Sequence, residues 1–399
     1  MNKKPPSLLP VEEAQARLFA MAPAVPAEIV PVRDASGRWA ASDILALRTQ
    51  PATDLSAMDG YAIRFADLPG PFRLIGESAA GRPYPGSVVG PQEAVRIFTG
   101  AAMPDGADTV LVQEEAARSG DSILLAGEGP RALGRNVRCQ GLDFSLGDPL
   151  VASGERLTPA RIAVAATGGH GALCVNRRIR VAIVATGDEL VPPGSALTGA
   201  LLPESNGAML SAMLADLPVE IADLGILPDR LDVMTAAFAA VQADILVTTG
   251  GASVGDHDLV RPALEAAGGR LDFWRIALRP GKPMMAGRLG EAIVLGLPGN
   301  PVSAFVTALL FLRPLIAVMA GARDPLLRTS SAILGEDLPA NDHRQDYLRA
   351  ELRDRHVYAS SIQDSSMLRT LARANCLIVR APGAPAIAAG EPVEILTIA

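Results

Sequence analysis

Between residues 178 and 321 continuous apolar runs alternate with helical stretches, and this alternation limits the fold more than any other feature of the sequence. Arg180–Thr186 reads as a buried strand ending in a polar loop, TGDEL. A helix follows Ser205-Asn206, either of which could cap it. Val219–Leu227 reads as a strand, Leu231–Gln242 as a helix and Ile245–Thr249 as a strand opening into GGASVGDHD. Pro262 suits the first turn of the next helix and Gly268-Gly269 its end. A strand over Leu271–Leu278, a loop RPGKP, a strand over Ala292–Leu297 and a long helix after LPGNP complete the series. Apolar strands alternating with helices predict a mostly parallel sheet covered on both faces, the central layer of a three-layer α/β domain. Ligands of such sheets bind at the carboxyl ends of the strands, where TGDEL, GGASVGDHD and LPGNPVS all fall.

The chain has 399 residues, too many for one ordinary domain. Residues 8–48 hold a helical stretch, Val11–Met21, and a short extended run. Residues 49–146 are rich in Gly and Pro, with short apolar runs at Ala94–Phe98 and Thr109–Gln113, the texture of a β domain. Residues 147–177 carry a second helix near Pro159–Thr167 that could return to the first region, so the N-terminal domain is expected to be discontinuous. Residues 328–399 alternate again, with one helix near Met367–Ala374. The expected division is 1–48 plus 147–177, 49–146, 178–327 and 328–399.

The net charge of −7 and scattered basic residues argue against nucleic acid as a partner. Cys139, Cys174 and Cys376 form no CxxC motif, which fits a reducing cytoplasm; all three read as small buried hydrophobes. Glu12 and Glu13 interrupt any signal-peptide core. Pro301–Ala320 approaches membrane-spanning length, but Arg313 and Pro314 fall inside it. It reads as a buried helix kinked at Pro314 that could face another subunit, so no membrane is expected.

Five motifs could carry chemistry. In TTGGASVGDHD, Gly250, Gly251 and Gly255 let the backbone approach a ligand, successive N–H groups could cradle an anion, and Ser253 adds a hydroxyl. Asp256 and Asp258 fit such a site if a divalent cation lies between them and a phosphate, or they merely cap a helix. Asp188 and Glu189 in TGDEL could bind metal or cap the next segment. In WRIALRPGKP, Arg275 and Arg279 share a face while the strand persists, and Lys282 follows, giving three cations for a phosphate or oxyanion unless they are solvated surface charge. In LPGNPVS, Pro298 and Pro301 bracket Gly299 and a natural N-cap, Asn300, with Ser303 just beyond; the rigidity could be structural or shape a pocket floor. In SAMDGYA, Asp59 could be only a turn residue, and the same holds for Thr99 and Asp143. Four histidines and no Ser–His–Asp pattern disfavour nucleophilic hydrolysis.

Taken together and in order, SAMDGYA, TGAAMP, TGDEL, GGASVGDHD, RPGKP and LPGNPVSAF resemble the molybdopterin molybdenumtransferases, or molybdenum insertases, and the C-terminal domain of gephyrin. The resemblance implies an elongated discontinuous domain, an inserted β domain, a molybdopterin-binding α/β domain and a C-terminal β-barrel, in a cytoplasmic homodimer with its site between subunits. It implies a reaction of adenylylated molybdopterin with molybdate, releasing AMP, with Mg²⁺ or another divalent cation. Carried over by motif, Asp59, Thr99 and Asp143 would face the partner's site. Glu189, Asp229 and Asp258 would supply carboxylates, with Glu189 and Asp258 as metal ligands. Arg275, Arg279 and Lys282 would hold oxyanion, the GGASVGDHD and LPGNPVS residues would bind substrate, and Ser365 would close the pocket. The molybdopterin adenylyltransferase and acceptor molybdoenzymes are the implied protein partners. Two departures stand out: Arg275 and Arg279 occupy positions where lysines are expected, and Glu204 in LLPESN replaces an Asp. Competing readings are the adenylyltransferase itself, a gephyrin-like scaffold and a tungsten-specific insertase.

Overall fold

The computed structural model describes residues 8–250 and 259–398, except for the side chains of residues 273 and 274. Its centre is a six-stranded sheet. In spatial order the strands are Val219–Leu227, Ile179–Thr186, Ile245–Thr249, Ala292–Leu297, Pro283–Leu289 and Arg270–Arg275. The first four run parallel and the last two antiparallel. Helices cover both faces, with Leu210 and Leu214 packed on one and Met234, Phe238 and Leu264 on the other. The fully buried strands explain the near-continuous apolar runs.

The edge departs from the expected pattern in two ways. Pro283–Leu289, read as loop and its exit, is a strand. The expected strand Leu271–Leu278 ends at Arg275, because Leu9 docks there: Leu9 N–H donates to the Arg275 carbonyl (2.8 Å) and Ala277 N–H to the Leu9 carbonyl (2.8 Å). Leu278–Arg279 then joins the C-terminal sheet beside Gln345 and Asp346. The helix expected over Leu231–Gln242 stops at Ala239.

After Asn300 the chain is helical over Pro301–Thr307, widens to a π turn over Ala308–Leu312 and continues over Arg313–Met319. Pro314 has no N–H for the Leu310 carbonyl, which instead accepts from the Gln15 side-chain amide at 2.8 Å. This apolar stretch, of mean hydropathy 2.1, is 83% buried. Its cover comes from this chain's own Val11–Met21 helix and barrel residues Tyr347, Leu377 and Leu396, where the sequence had suggested another subunit.

The N-terminal part is discontinuous. Ala27–Pro31 pairs with Ala172–Asn176, and Ile44–Leu45 with Pro149–Val151. The Pro159–Thr167 helix, capped by Thr158, packs in the same core. Between these halves the chain enters a six-stranded mixed sheet running from Gly60–Ile63 to Ser122–Leu125. Entry and exit meet at a neck, where Leu146 N–H donates to Thr49 Oγ1 (3.1 Å) and Gln50 pairs with Phe144. At the C-terminus, Gln345–Arg353, His356–Ala359, Ser330–Leu334, Pro392–Thr397 and Cys376–Arg380 close into a five-stranded barrel, the last pairing back with the first. The three cysteines are free; Cys376 is buried as expected, Cys174 is half-buried and Cys139 is exposed, contrary to expectation.

Candidate active site

The parallel sheet has one place where successive connections depart in opposite directions, between Ile179–Thr186 and Ile245–Thr249. Loops separate there and leave a crevice. Three glycines let the backbones converge on it. Gly187 has φ +146° and Gly250 φ +92°, and a side chain at Gly250 would lie 2.7 Å from the Thr186 carbonyl. Gly299, at the end of the neighbouring strand, lies against Gly250. The hydroxyls of Thr248 and Thr249, buried at the end of their strand, find no partner among the described residues. Gly251, Ser253, Gly255, Asp256 and Asp258, all expected in this loop, lie outside the described residues.

A cleft of about 490 Å³ opens beside the crevice, lined by Gly187, Asp188, Leu190, Glu204, Gly207 and Asp223 among others. Carboxylates gather on its rim. Asp188 accepts from Asp229 N–H at 3.0 Å. Burial, helped by the charges of Asp188 and Glu189, raises the Asp229 pKa. Among the described residues no three carboxylate, histidine or cysteine side chains form a cage for a metal.

The helix after this rim is not capped as expected. Neither Ser205 nor Asn206 caps it; Glu204 takes that role, accepting from Gly207 N–H at 2.8 Å. Asn206 is buried, its Nδ2 donating to the Gly299 carbonyl (2.8 Å) while its Oδ1 has no partner among the described residues. The longer Glu204 side chain therefore still reaches the helix start, and Asn206 is freed to tie this helix to the LPGNP loop.

Asn300 occupies the N-cap position of its helix but makes no capping bond. Its Nδ2 donates to Ser365 Oγ at 3.0 Å, and Val302 N–H donates to the Ser365 carbonyl at 3.1 Å. Pro301 begins the helix, Pro298 precedes the turn, and Ser303 is buried in the first helical turn. The 360–366 loop that carries Ser365 is held by a fully buried arginine. Arg349 Nη2 donates to the Ile362 carbonyl (3.0 Å), and its Nε has no partner among the described residues. No local pattern marks Arg349, since it sits in an ordinary alternating strand.

The expected trio of cations divides. Arg275 and Lys282 lie together where the last strands meet, Ile276 N–H donating to the Lys282 carbonyl (2.8 Å), and neither has an ion-pair partner among the described residues. Arg279 turns to the barrel. It bonds Asp346 and reaches Asp342 (3.4 Å) and Asn341 (3.3 Å), and Asp346 raises its pKa. Its charge is matched there, because the strand that would have aligned it with Arg275 has ended.

In the inserted sheet, Asp59 and Thr99 meet. Asp59 Oδ1 accepts from Thr99 N–H (2.7 Å) and Oγ1–H (2.8 Å). These bonds, with the Arg96 charge, hold the Asp59 carboxyl below its usual range. Arg96 is fixed over the Tyr61 and Phe98 rings. Asp143 stands apart at the neck, exposed, with its N–H donating to Gln50. Among the described residues no hydrogen bond or ion pair joins Asp59, Thr99 or Asp143 to the loops of the central sheet.

Comparison with known proteins covers nearly the whole chain. Residues 9–169 match the MoeA N-terminal region (domain I and II), residues 182–318 the probable molybdopterin binding domain and residues 331–398 the MoeA C-terminal region (domain IV). A protein of Haemophilus influenzae named molybdopterin molybdenumtransferase is 35% identical over 97% of this chain and 98% of its own. One of the same name from Bacillus subtilis is 31% identical over 100% of this chain and 95% of its own. A crystal structure of the molybdopterin biosynthesis moeA protein from Pyrococcus horikoshii superposes with TM-score 0.82 at 27% identity, covering 98% of this chain and 100% of that one.

Proposed function

The chain belongs to the molybdopterin molybdenumtransferase family, and from that membership we propose how its residues divide the work of transfer. It is an enzyme of molybdenum cofactor biosynthesis whose small-molecule substrates are molybdopterin and molybdenum. In the proposed reaction, adenylylated molybdopterin and molybdate meet at the crevice; the two dithiolene sulfurs replace an oxygen of molybdate, which leaves with their protons as water, and water cleaves the phosphoanhydride so that AMP leaves and the pterin keeps its phosphate.

The observation that carries this reading is a cationic edge, without ion-pair partners among the described residues, and a carboxylate rim on the same carboxyl side of one sheet. Two anions have to be brought together, which calls for cations on one side and a metal-binding rim on the other. Arg275 and Lys282 are the proposed oxyanion seat, and Arg279 serves it indirectly by fixing the barrel against that edge. The Gly250 and Pro298–Pro301 turns shape the substrate floor with Ser303, and Gly251, Ser253, Gly255 and Asp256 are proposed to complete it. Ser365, held by Asn300, closes one wall, and the Nε of Arg349, without a partner among the described residues, adds a donor behind it.

The raised pKa of Asp229 between Asp188 and Glu189 suits a divalent cation, which would relieve their repulsion. Mg²⁺ is the proposed ion, with Glu189 and Asp258 as ligands; when bound it would neutralise phosphate charge. Few protein carboxylates and several other oxygens are its ordinary coordination.

Among the described residues Asp59, Thr99 and Asp143 have no tie to these loops within one chain, which supports a homodimer in which they complete the partner's site. The proposed location is the cytoplasm, and the proposed protein partners are the adenylyltransferase and the acceptor molybdoenzymes. Whole-length relatives carry the molybdenumtransferase name, so neither adenylyl transfer nor scaffolding is favoured.

Mixing two inactive variants tests the composite site. Asp59→Ala and Lys282→Ala proteins, each inactive alone, should regain part of the activity once subunits exchange, because one site of each mixed dimer is intact. No recovery, with exchange demonstrated, contradicts the assignment.

A further inference from the structure

A second cleft, of about 500 Å³, lies on the C-terminal barrel, lined by Arg353, Arg369, Arg373, Tyr358, Ser361 and Thr370 among others. Its charges do not balance. Among the described residues Glu351 is the one acid on its wall, and it is bonded to Arg353. Arg369 and Arg373 sit four residues apart on the Leu368–Arg373 helix, with no ion pair or hydrogen bond from either guanidinium to a described residue. Like charges at that spacing face each other, roughly 5–6 Å apart at Cβ, and repel. No acid on their own helix offsets them: the nearest, Asp364, is bonded to Ser366. The hydroxyls of Tyr358, Ser361 and Thr370 also lack partners among the described residues.

From this arrangement we propose that the cleft binds a phosphate dianion, free or as the monoester of a small metabolite. Two guanidiniums on one helical face can share a single tetrahedral dianion, each donating to different oxygens, and hydroxyl donors serve the remaining ones. A monocarboxylate would leave one cation unmatched. The concave wall concentrates the positive field, so a protein of net charge −7 can still attract an anion locally. The site is separate from the crevice of the central sheet. One of its walls, Ser361 and Ile362, belongs to the loop whose far end carries Ser365. An anion seated there would therefore brace the loop that closes the active site.

The test uses the full-length protein carrying Arg275→Ala and Lys282→Ala, so that the central oxyanion seat does not compete. Inorganic phosphate and glycerol phosphate are titrated separately by calorimetry. Binding is expected in this background, and Arg369→Gln with Arg373→Gln should weaken it at least tenfold. Arg369→Lys with Arg373→Lys should retain most of it, which separates loss of charge from loss of fold. Tighter binding of the ester identifies a metabolite, and equal binding a free ion. No binding in the parent background, or unchanged affinity in the glutamine pair, overturns the proposal.

Discussion

The side-chain amide of Asn300 donates to the hydroxyl of Ser365 at 3.0 Å, and that bond fastens the C-terminal barrel to the carboxyl edge of the central sheet. The residue best placed to cap its own helix instead reaches another domain. A double-mutant cycle on Asn300→Ala and Ser365→Ala should give a coupling of about 0.5–1.5 kcal/mol, typical of one hydrogen bond, read in kcat/KM. Additive effects would show that the bond does not support turnover.

Asp59 and Thr99 form one unit. Asp59→Ala should reduce turnover by roughly 100-fold or more, the range of a positioned proton-transfer or charged group. Thr99→Ala should raise the Asp59 pKa toward its ordinary value, because the hydroxyl bond that helps hold it down is removed. Carbon-13 NMR of the Asp59 carboxyl reads this directly, and an unchanged titration would contradict it.

Asp229 predicts a conflict between stability and activity. Its folded pKa is raised above 3.8, so its contribution to stability is fully present below that value and is lost as pH rises through the folded pKa. At neutral pH the ionised group is a liability. Asp229→Asn should therefore melt slightly higher than the parent while losing transfer activity. It should also gain less from added Mg²⁺ in thermal melting. An equal Mg²⁺ response in both proteins would place the cation elsewhere.

Asp244 carries the opposite sign. Arg177 grips it with two bonds (2.7 and 2.8 Å), Arg180 N–H adds a third, and these outweigh burial to pull its pKa to about 2. A depressed carboxyl stabilises above its unfolded pKa, and this is lost as pH falls through the folded value. The shift corresponds to about 2 kcal/mol. Asp244→Asn should destabilise the protein by about that amount at pH 7 and less near pH 2, measured by urea denaturation. A constant difference across pH would contradict the account.

The central sheet was legible because its inner strands are buried on both faces, so Val181–Ala185 and Ala292–Leu297 show unbroken apolar runs. The edge was not. Local spacing placed Arg275 and Arg279 on one strand, but Leu9, some 270 residues earlier, docks at Ile276 and ends it. Pro283–Leu289 was hidden by the turn residues that precede it. The cap of the Asn206–Leu214 helix was misread for a similar reason: Asn206 is drawn away by Gly299, a contact no local pattern records. Physics alone left Asp59 a turn residue. Only the ordered set of motifs suggested a site there, and its bond to Thr99, 40 residues on, shows how the two are joined.

The most direct measurement is AMP release from adenylylated molybdopterin by the purified protein with Mg²⁺, with and without molybdate. The account predicts release that depends on molybdate and is abolished in Lys282→Ala. Release that is indifferent to molybdate, or absent while the substrate is shown to be intact, would contradict it.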